Sequence, residues 1–226
     1  MEFGRAFTYA FEDSDWLKKI GIAALVSLIP LIGLITLLGW ALEITRRVIH
    51  REAELLPAWD NFGDFVSNGF KAFLVGFVYA LPIILISGCL NTVLPLLTSA
   101  AGDNGGAVIS TVVTVVSICF GCFNFILSIM ICLVVPAALG NLAASGGNLS
   151  AGFRFNEIFG LLRAAPGPYA LVLLGGLVSS FIAGLGLIAC LIGIVFTQAL
   201  AMSINAHLWG QAYQAAKGLQ DSSSAA

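Results

Sequence analysis

The chain has 226 residues, of which 59% are hydrophobic and only 10% charged, and its formal net charge is −2. Soluble domains carry about a quarter charged residues, so a surface this poor in charge requires lipid rather than water as its solvent. The near-neutral balance argues against a polybasic nucleic-acid surface.

The first segment places Phe3, Ala6, Phe7, Ala10 and Phe11 at helical spacing, which predicts a short amphipathic helix near residues 3–12. It carries Glu2, Glu12, Asp13 and Asp15, and the apolar run that follows, Ile20 to Leu42, is too long for a cleaved leader. Asp13 and Ser14 read as a helix start, because their side-chain oxygens can accept from the free N–H groups of a first turn. Trp16 suits the headgroup level.

The run Ile20–Leu42 is interrupted by Pro30 and Gly33. Proline removes a backbone donor and clashes with the preceding turn, so a single kinked span and a re-entrant hairpin with its tip at Pro30–Gly33 are both open. Glu43 and Arg47 then form an i,i+4 pair. A second amphipathic helix is predicted near 57–71, with Trp59, Phe62, Val66, Phe70 and Phe73 on one face; such a helix lies in the membrane interface.

Three stretches carry no charge: Ala72 to Gly102, Asn104 to Phe153, and Ala164 to Ala216. Each exceeds the ~20 apolar residues needed to cross a bilayer. Ala72–Leu97 reads as a span, and Ser99–Gly106, with Asp103 and Asn104, as a polar turn. Ala107–Ala144 would measure roughly 57 Å as one helix, against a hydrocarbon core of about 30 Å; one long helix and a break near Gly121 or Pro136 are both open. A third amphipathic piece is predicted near 153–163, ended by Pro166 and Pro168. Tyr169–Gly210 has the length of two spans joined near Gly184–Leu187. Residues 217–226 read as a disordered tail.

If Ala107–Ala144 is one span and the first run and Tyr169–Gly210 are both hairpins, every Lys and Arg falls on one face and only Asp103 on the other, the asymmetry of cytoplasmic loops. The expected architecture is therefore an all-α integral membrane domain over residues 1–216, a polytopic bundle of roughly five to six transmembrane or re-entrant legs with interfacial amphipathic helices. Its expected place is the cytoplasmic membrane, with both termini cytoplasmic. A weak internal echo aligns Leu31-Ile32-Gly33-Leu34 with Leu191-Ile192-Gly193-Ile194, and Ala41 and Ile44 with Ala201 and Ile204.

Chemistry is sparse. Cys119 and Cys122 form a CxxC inside an apolar run, with no second pair and no histidine nearby. Buried cysteine behaves as a small hydrophobe, and Cys89, Cys132 and Cys190 also lie in apolar runs. No catalytic, cofactor or metal residues are expected, and no enzymatic activity. The intramembrane polar positions Asn91, Asn124, Gln198, Asn205 and His207 are the candidate functional residues. Amide side chains in such spans more often bridge helices, at about 1 kcal/mol each. Gly176, Ser180 and Gly184 at four-residue spacing allow close helix approach.

Three stretches carry a family resemblance. They are Phe11-Glu12-Asp13-Ser14-Asp15-Trp16-Leu17-Lys18-Lys19, then Leu28-Ile29-Pro30-Leu31-Ile32-Gly33 running through Leu38-Gly39-Trp40 to Arg46-Arg47-Val48, then Leu56-Pro57-Ala58-Trp59-Asp60-Asn61-Phe62-Gly63-Asp64 to Gly69-Phe70-Lys71-Ala72. The chain resembles the prokaryotic membrane-protein family catalogued as domain of unknown function 4013. The resemblance covers about the first 80 residues well and the rest chiefly by hydropathy, with the Val135-Pro136-Ala137-Ala138 to Phe153 region added. It implies a multi-pass membrane protein of a bacterium or archaeon and no activity. The expected function is that of a non-enzymatic accessory subunit or scaffold, whose partners are the lipid bilayer and another membrane or cytoplasmic protein. The alternative is a small permease or channel for a small solute, with the broken segments lining its path.

Overall fold

A computed structural model of the chain describes residues 1–100 and 102–224; side chains at 97–98, 100–109, 189–192 and 223–226 lie outside the described set. Asp103 and Cys190 fall among the latter. The described residues form helices and no strand. They are α1 (Arg5–Thr8), α2 (Trp16–Ser27), α3 (Ile32–His50), α4 (Phe62–Ala100), α5 (Gly102–Ala144), α6 (Phe155–Ala164), α7 (Pro166–Leu185) and α8 (Cys190–Ser224), with short 3-10 turns at Tyr9–Glu12, Trp59–Asn61, Leu149–Phe153 and Gly186–Ala189. Three stretches are long and apolar enough to cross a membrane: Trp59–Leu96, Ser110–Ala144 and Pro166–Ile188.

The first apolar run is two helices. Asp13 Oδ1 accepts from the Asp15 N–H at 2.8 Å just ahead of α2, but the N-cap is Asp15 and no side chain caps the first turn, so the helix start read at Asp13 and Ser14 lies one residue later. The helix stops at Ser27, and Pro30 prevents its continuation. The Ile32 N–H then donates to the Pro30 carbonyl at 2.7 Å across Leu31, which has φ 62° and ψ −59°. This is a γ-turn of the strained kind, rare for a residue with a side chain. A Cβ added at Gly33 would collide with the Val26 carbonyl, so α3 starts hard against the end of α2. A helical hairpin is the result, not a kinked rod.

Contacts divide the chain into two compact units, residues 1–76 with 133–226, and residues 77–132. In the first unit α8 touches α1, α2, α3, α6 and α7. It lies beside α3 in parallel: the Thr45 hydroxyl donates to the Ala206 carbonyl at 3.0 Å, and Gln214 Nε2 donates to the carbonyls of Val48 and Ile49 at 2.7 and 2.8 Å. Those pairs between α3 and α8 lie 161, 166 and 165 residues apart, close to the spacing of the sequence echo but not equal to it. Ile20, Ala23, Leu37, Trp40, Ala41, Ile44, Ala199 and Ala206 form the core between them. Where α3 meets α4, both helices present glycine. A Cβ at Gly39 would collide with the Phe65 carbonyl, and one at Gly69 with the Ile35 carbonyl.

The second unit contains the remainder of α4 and α5. No described residue from 77 to 132 is buried. Phe77, Leu85, Val112, Ile118, Phe123 and Phe125 are among its exposed large side chains. Its hydroxyls and amides bond to the carbonyl one turn back, as Asn91 does to Ser87 at 2.8 Å, Thr92 to Gly88 at 2.9 Å and Ser117 to Val113 at 2.7 Å. Such bonds hide polar atoms within the helix's own backbone.

Three boundaries differ from the reading of the sequence. The piece at 57–71 is not a separate interfacial helix: α4 runs unbroken from Phe62 through the following span. Its exposed aromatic side, with Phe62, Phe70 and Phe73, matches the predicted face, while Phe65, Gly69 and Ala72 turn to the core. α5 is one helix through Gly121 and Pro136, and it begins at Gly102 while α4 runs to Ala100, so the described residues of the predicted turn at 99–106 are helical. The segment predicted as a tail continues α8 as far as Ser224; Gln, Ala, Lys and Leu propagate a helix that is already formed, which composition alone does not convey.

Candidate functional site

Polar chemistry gathers where the chain's first residues, the end of α3 and the second half of α8 meet. Tyr9 donates its hydroxyl to the Ser203 carbonyl at 3.0 Å, and its ring stacks on His207 at 4.3 Å. Burial pushes the Tyr9 phenol well above its ordinary range. Gln211 pairs reciprocally with the backbone of Glu2, accepting from its N–H at 2.8 Å and donating to its carbonyl at 3.2 Å; the same Nε2 donates to His207 Nδ1 at 3.2 Å. An open cleft of about 570 Å³ is lined by Glu2, Arg5, Arg51, Glu52, His207 and Gln211, among others.

A second cleft of about 640 Å³ shares Arg5, Arg51, Glu52 and Leu55 with the first and adds Glu12, Asp13, Asp15 and Glu54. Carboxylates outnumber guanidinium groups in both walls taken together. The floor is a tied-down loop. Lys19, 7% exposed, donates to Asp13 at 2.7 Å, Glu54 at 2.6 Å and the Leu56 carbonyl at 3.0 Å, which uses all three of its N–H bonds. Trp59 Nε1 donates to the Lys19 carbonyl at 2.9 Å, and Trp40 Nε1 to the Pro57 carbonyl at 3.2 Å, with the two indoles stacked 5.8 Å apart. Beside the loop, Glu43 takes two bonds from Arg46 at 2.7 and 2.8 Å and one from Arg47 at 3.1 Å, so the predicted i,i+4 pair is part of a larger cluster. Glu52 joins it at 3.2 Å from Arg46.

The five candidate positions separate into three places. Asn124 lies across from Ser87, whose hydroxyl donates to its Oδ1 at 3.5 Å, and Asn91 caps onto the Ser87 carbonyl; both are in the second unit. Gln198 and Asn205 come together with Ser180 around a small open pocket of about 220 Å³ between α7 and α8. Asn205 Oδ1 accepts from the Ser179 hydroxyl at 3.1 Å, a bridge between the two helices. His207 is turned away from that pocket into the first cleft. Of the small-residue series, a Cβ added at Gly176 would lie 3.8 Å from Asn205 Oδ1, while one at Gly184 would meet open space. Cys119 and Cys122 are both exposed along α5.

Sequence reasoning missed Tyr9, Lys19, Glu54 and Gln211 as members of the cleft. Their partners lie far off in the chain, and only the fold joins them. A faint signal existed for Lys19: it borders an apolar run, where a lysine needs a carboxylate if it is to be buried. Among the described residues no group of three His, Cys, Asp or Glu side chains comes close enough to hold a metal ion. The clefts offer charge and hydrogen bonds.

No curated protein matches the chain, and no solved structure does. One family model matches it, described as a protein of unknown function (DUF4013), over residues 22–192. That stretch takes in α3 through α7, the second half of α2, and the first residues of α8. The chain belongs to the DUF4013 family.

Proposed function

We propose that this protein is a multi-pass protein of the cytoplasmic membrane that works by contact, as a non-enzymatic accessory subunit or scaffold. One observation carries the reading: charge is partitioned between the two units. All ten Lys and Arg residues lie in the unit formed by 1–76 and 133–226, whereas in 77–132 Asp103 is the sole charged residue in the sequence. A helical pair that buries none of its described residues is stable in lipid, where its exposed Phe, Ile and Leu need no core. The ordered, charged clefts then face the cytoplasm by the positive-inside rule, with both termini there. They are built as a rigid surface, tied by Lys19 and Gln211, and suit the polar face of a partner protein.

A small permease is the second reading, favoured by the pocket at Ser180, Gln198 and Asn205, which brings amide groups to one point between two long apolar helices. Gentle extraction of the tagged protein from its native membrane, followed by mass measurement of the intact assembly, separates the two. A stoichiometric protein partner lost on Arg51→Glu supports the scaffold. A chain that carries a small molecule, lost on Gln198→Ala with Asn205→Ala, replaces the scaffold with the permease.

A further inference from the structure

We propose that the α2–α3 hairpin is a one-leaflet wedge that makes this protein prefer and promote curved membranes, its ligand being the acyl chains of the leaflet next to the Lys and Arg side chains. The inference rests on the membrane reading above and adds a function to it. Four observations on this hairpin agree. First, its apolar legs, Ile20–Ser27 and Ile32–Leu42, rise roughly 12 and 17 Å at 1.5 Å per residue, whereas one leaflet of a core about 30 Å thick is about 15 Å deep. The hairpin reaches the midplane and no further. Second, its tip is apolar and bare. Leu25, Leu28, Ile29, Leu31, Ile32 and Leu34 are 45–78% exposed.

Third, the legs offer lipid no free polar side chain. Ser27 donates to the Ala24 carbonyl at 2.6 Å and Thr36 to the Ile32 carbonyl at 2.7 Å, each within its own helix. Charge begins at the mouth instead, with Lys18, Lys19, Glu43, Arg46 and Arg47, and Trp16 and Trp59 lie at the same level, where indole rings favour the headgroups. Fourth, the residue at the strained turn is the wrong one for the backbone. Leu31 holds φ 62° and ψ −59°, a conformation strained for any residue with a side chain, yet it is the most exposed side chain of the tip at 78%. Water gives no reason to place a bare leucine there. An acyl-chain environment does, because it rewards the side chain while the backbone cost stays the same.

The consequence is geometric. Helices that cross the bilayer add equal area to both leaflets. The wedge, as two helices each about 10 Å across, adds about 160 Å² to one leaflet alone. Insertion of that kind is curvature-sensitive, and the favoured membrane is convex toward the charged clefts.

The test uses the full chain, its native cysteines replaced by Ala, in vesicles of phosphatidylethanolamine and phosphatidylglycerol. A nitroxide on Leu31→Cys is expected near the midplane, shielded from water-soluble relaxation agents on both sides, and one on Lys18→Cys is expected to be open to them. The fraction of molecules with Lys18 outward is expected to rise by a factor of about 3 from vesicles of about 200 nm to vesicles of about 30 nm. Leu31→Asn, which keeps a side chain of nearly the same size and makes it polar, should retain the fold and lose most of that dependence. A protein that does not float with vesicles overturns the membrane reading itself. A Leu31 label reached from the face opposite Lys18 makes the hairpin a span and overturns the wedge. A label at the midplane with orientation independent of vesicle size overturns the curvature function and leaves the membrane reading standing.

Discussion

Lys18 and Lys19 are neighbours of one residue type, yet one is exposed and the other 7% exposed. Nothing local separates them; the difference is Asp13 before α2 and Glu54 in the loop after α3, brought together only by the hairpin. Burial disfavours the Lys19 ammonium, but the bonds and charges of Asp13 and Glu54 outweigh it and hold the amine above its ordinary 10.5. A group raised on folding contributes stability that is fully present below its unfolded value and lost as pH rises through its folded one, so this tie weakens above pH 10.5. Lys19→Met leaves Asp13, 13% exposed, with no counter-charge, and is expected to cost about 3 kcal/mol, the lower end for breaking a buried pair. Glu54→Gln, at a carboxylate 66% exposed, should cost under about 1 kcal/mol. Thermal unfolding in detergent checks both. Glu43 has the opposite sign. Burial would raise it, but Arg46 and Arg47 prevail and hold its carboxyl below the ordinary 4.5. That contribution is present above pH 4.5 and lost as pH falls through the lower, folded value, so the melting temperature of Glu43→Gln should fall less steeply on acidification than that of the parent chain. Tyr169 is 1% exposed, and its hydroxyl has no hydrogen-bond partner among the described residues. Removing an unpaired buried hydroxyl relieves a desolvation cost of about 1–3 kcal/mol, so Tyr169→Phe should match or exceed the melting temperature of the parent chain; a clear loss would mean the hydroxyl is bonded.

At the scale of elements, hydropathy and periodicity made the helices legible, because lipid selects for uninterrupted apolar runs and the breakers Pro30, Pro166 and Pro168 act locally. The joints were not legible. Whether an amphipathic stretch lies flat or runs on into a span depends on what it packs against, and for α4 the deciding contact is with α3. That contact rests on Gly39 and Gly69, which in the sequence look like any other glycines, whereas the regular series Gly176, Ser180 and Gly184 drew attention and only part of it is used. At Gly39 the obstacle to a Cβ is the Phe65 carbonyl, a backbone atom that no rotamer change can move. Gly39→Ala should therefore destabilise the fold by about 1–3 kcal/mol or more, since α3 and α4 must separate. Gly184→Ala meets nothing within 4 Å and should be neutral or stabilising by up to about 1 kcal/mol through helix propensity. Melting curves of the two variants, compared in one detergent, would refute this account of the crossing if Gly39→Ala melts with the parent chain. The candidate site divides the same way: the Gln198–Asn205 pair was visible because both are amides in an apolar run, two turns apart on one face of a single helix, while Tyr9, Lys19 and Gln211 needed tertiary partners to acquire a meaning.

For the whole molecule, the partition of charge makes a prediction that does not depend on any one contact. The Lys and Arg residues near the chain's start, in the α3–α4 loop, around α6 and in α8 all belong to one unit, and if that unit presents its polar side to the cytoplasm, every one of them is reached from there. The topology turns on the first apolar run. As a hairpin it returns the chain to the side it came from, so Arg5 shares a side with Arg154 and Lys217; as a span it would put Arg5, Lys18 and Lys19 across the membrane. The γ-turn at Leu31 and the close approach of Gly33 to Val26 favour the hairpin. Single cysteines at Arg5→Cys, Arg154→Cys and Lys217→Cys, in a chain without its native cysteines, should all react with an impermeant maleimide only after the cytoplasmic face is opened. A cysteine at Asp103→Cys should react in intact cells. Labelling of Arg5→Cys from outside would make α2 and α3 cross the membrane between them, leave the charge asymmetry incomplete, and remove the basis for a wedge in a single leaflet.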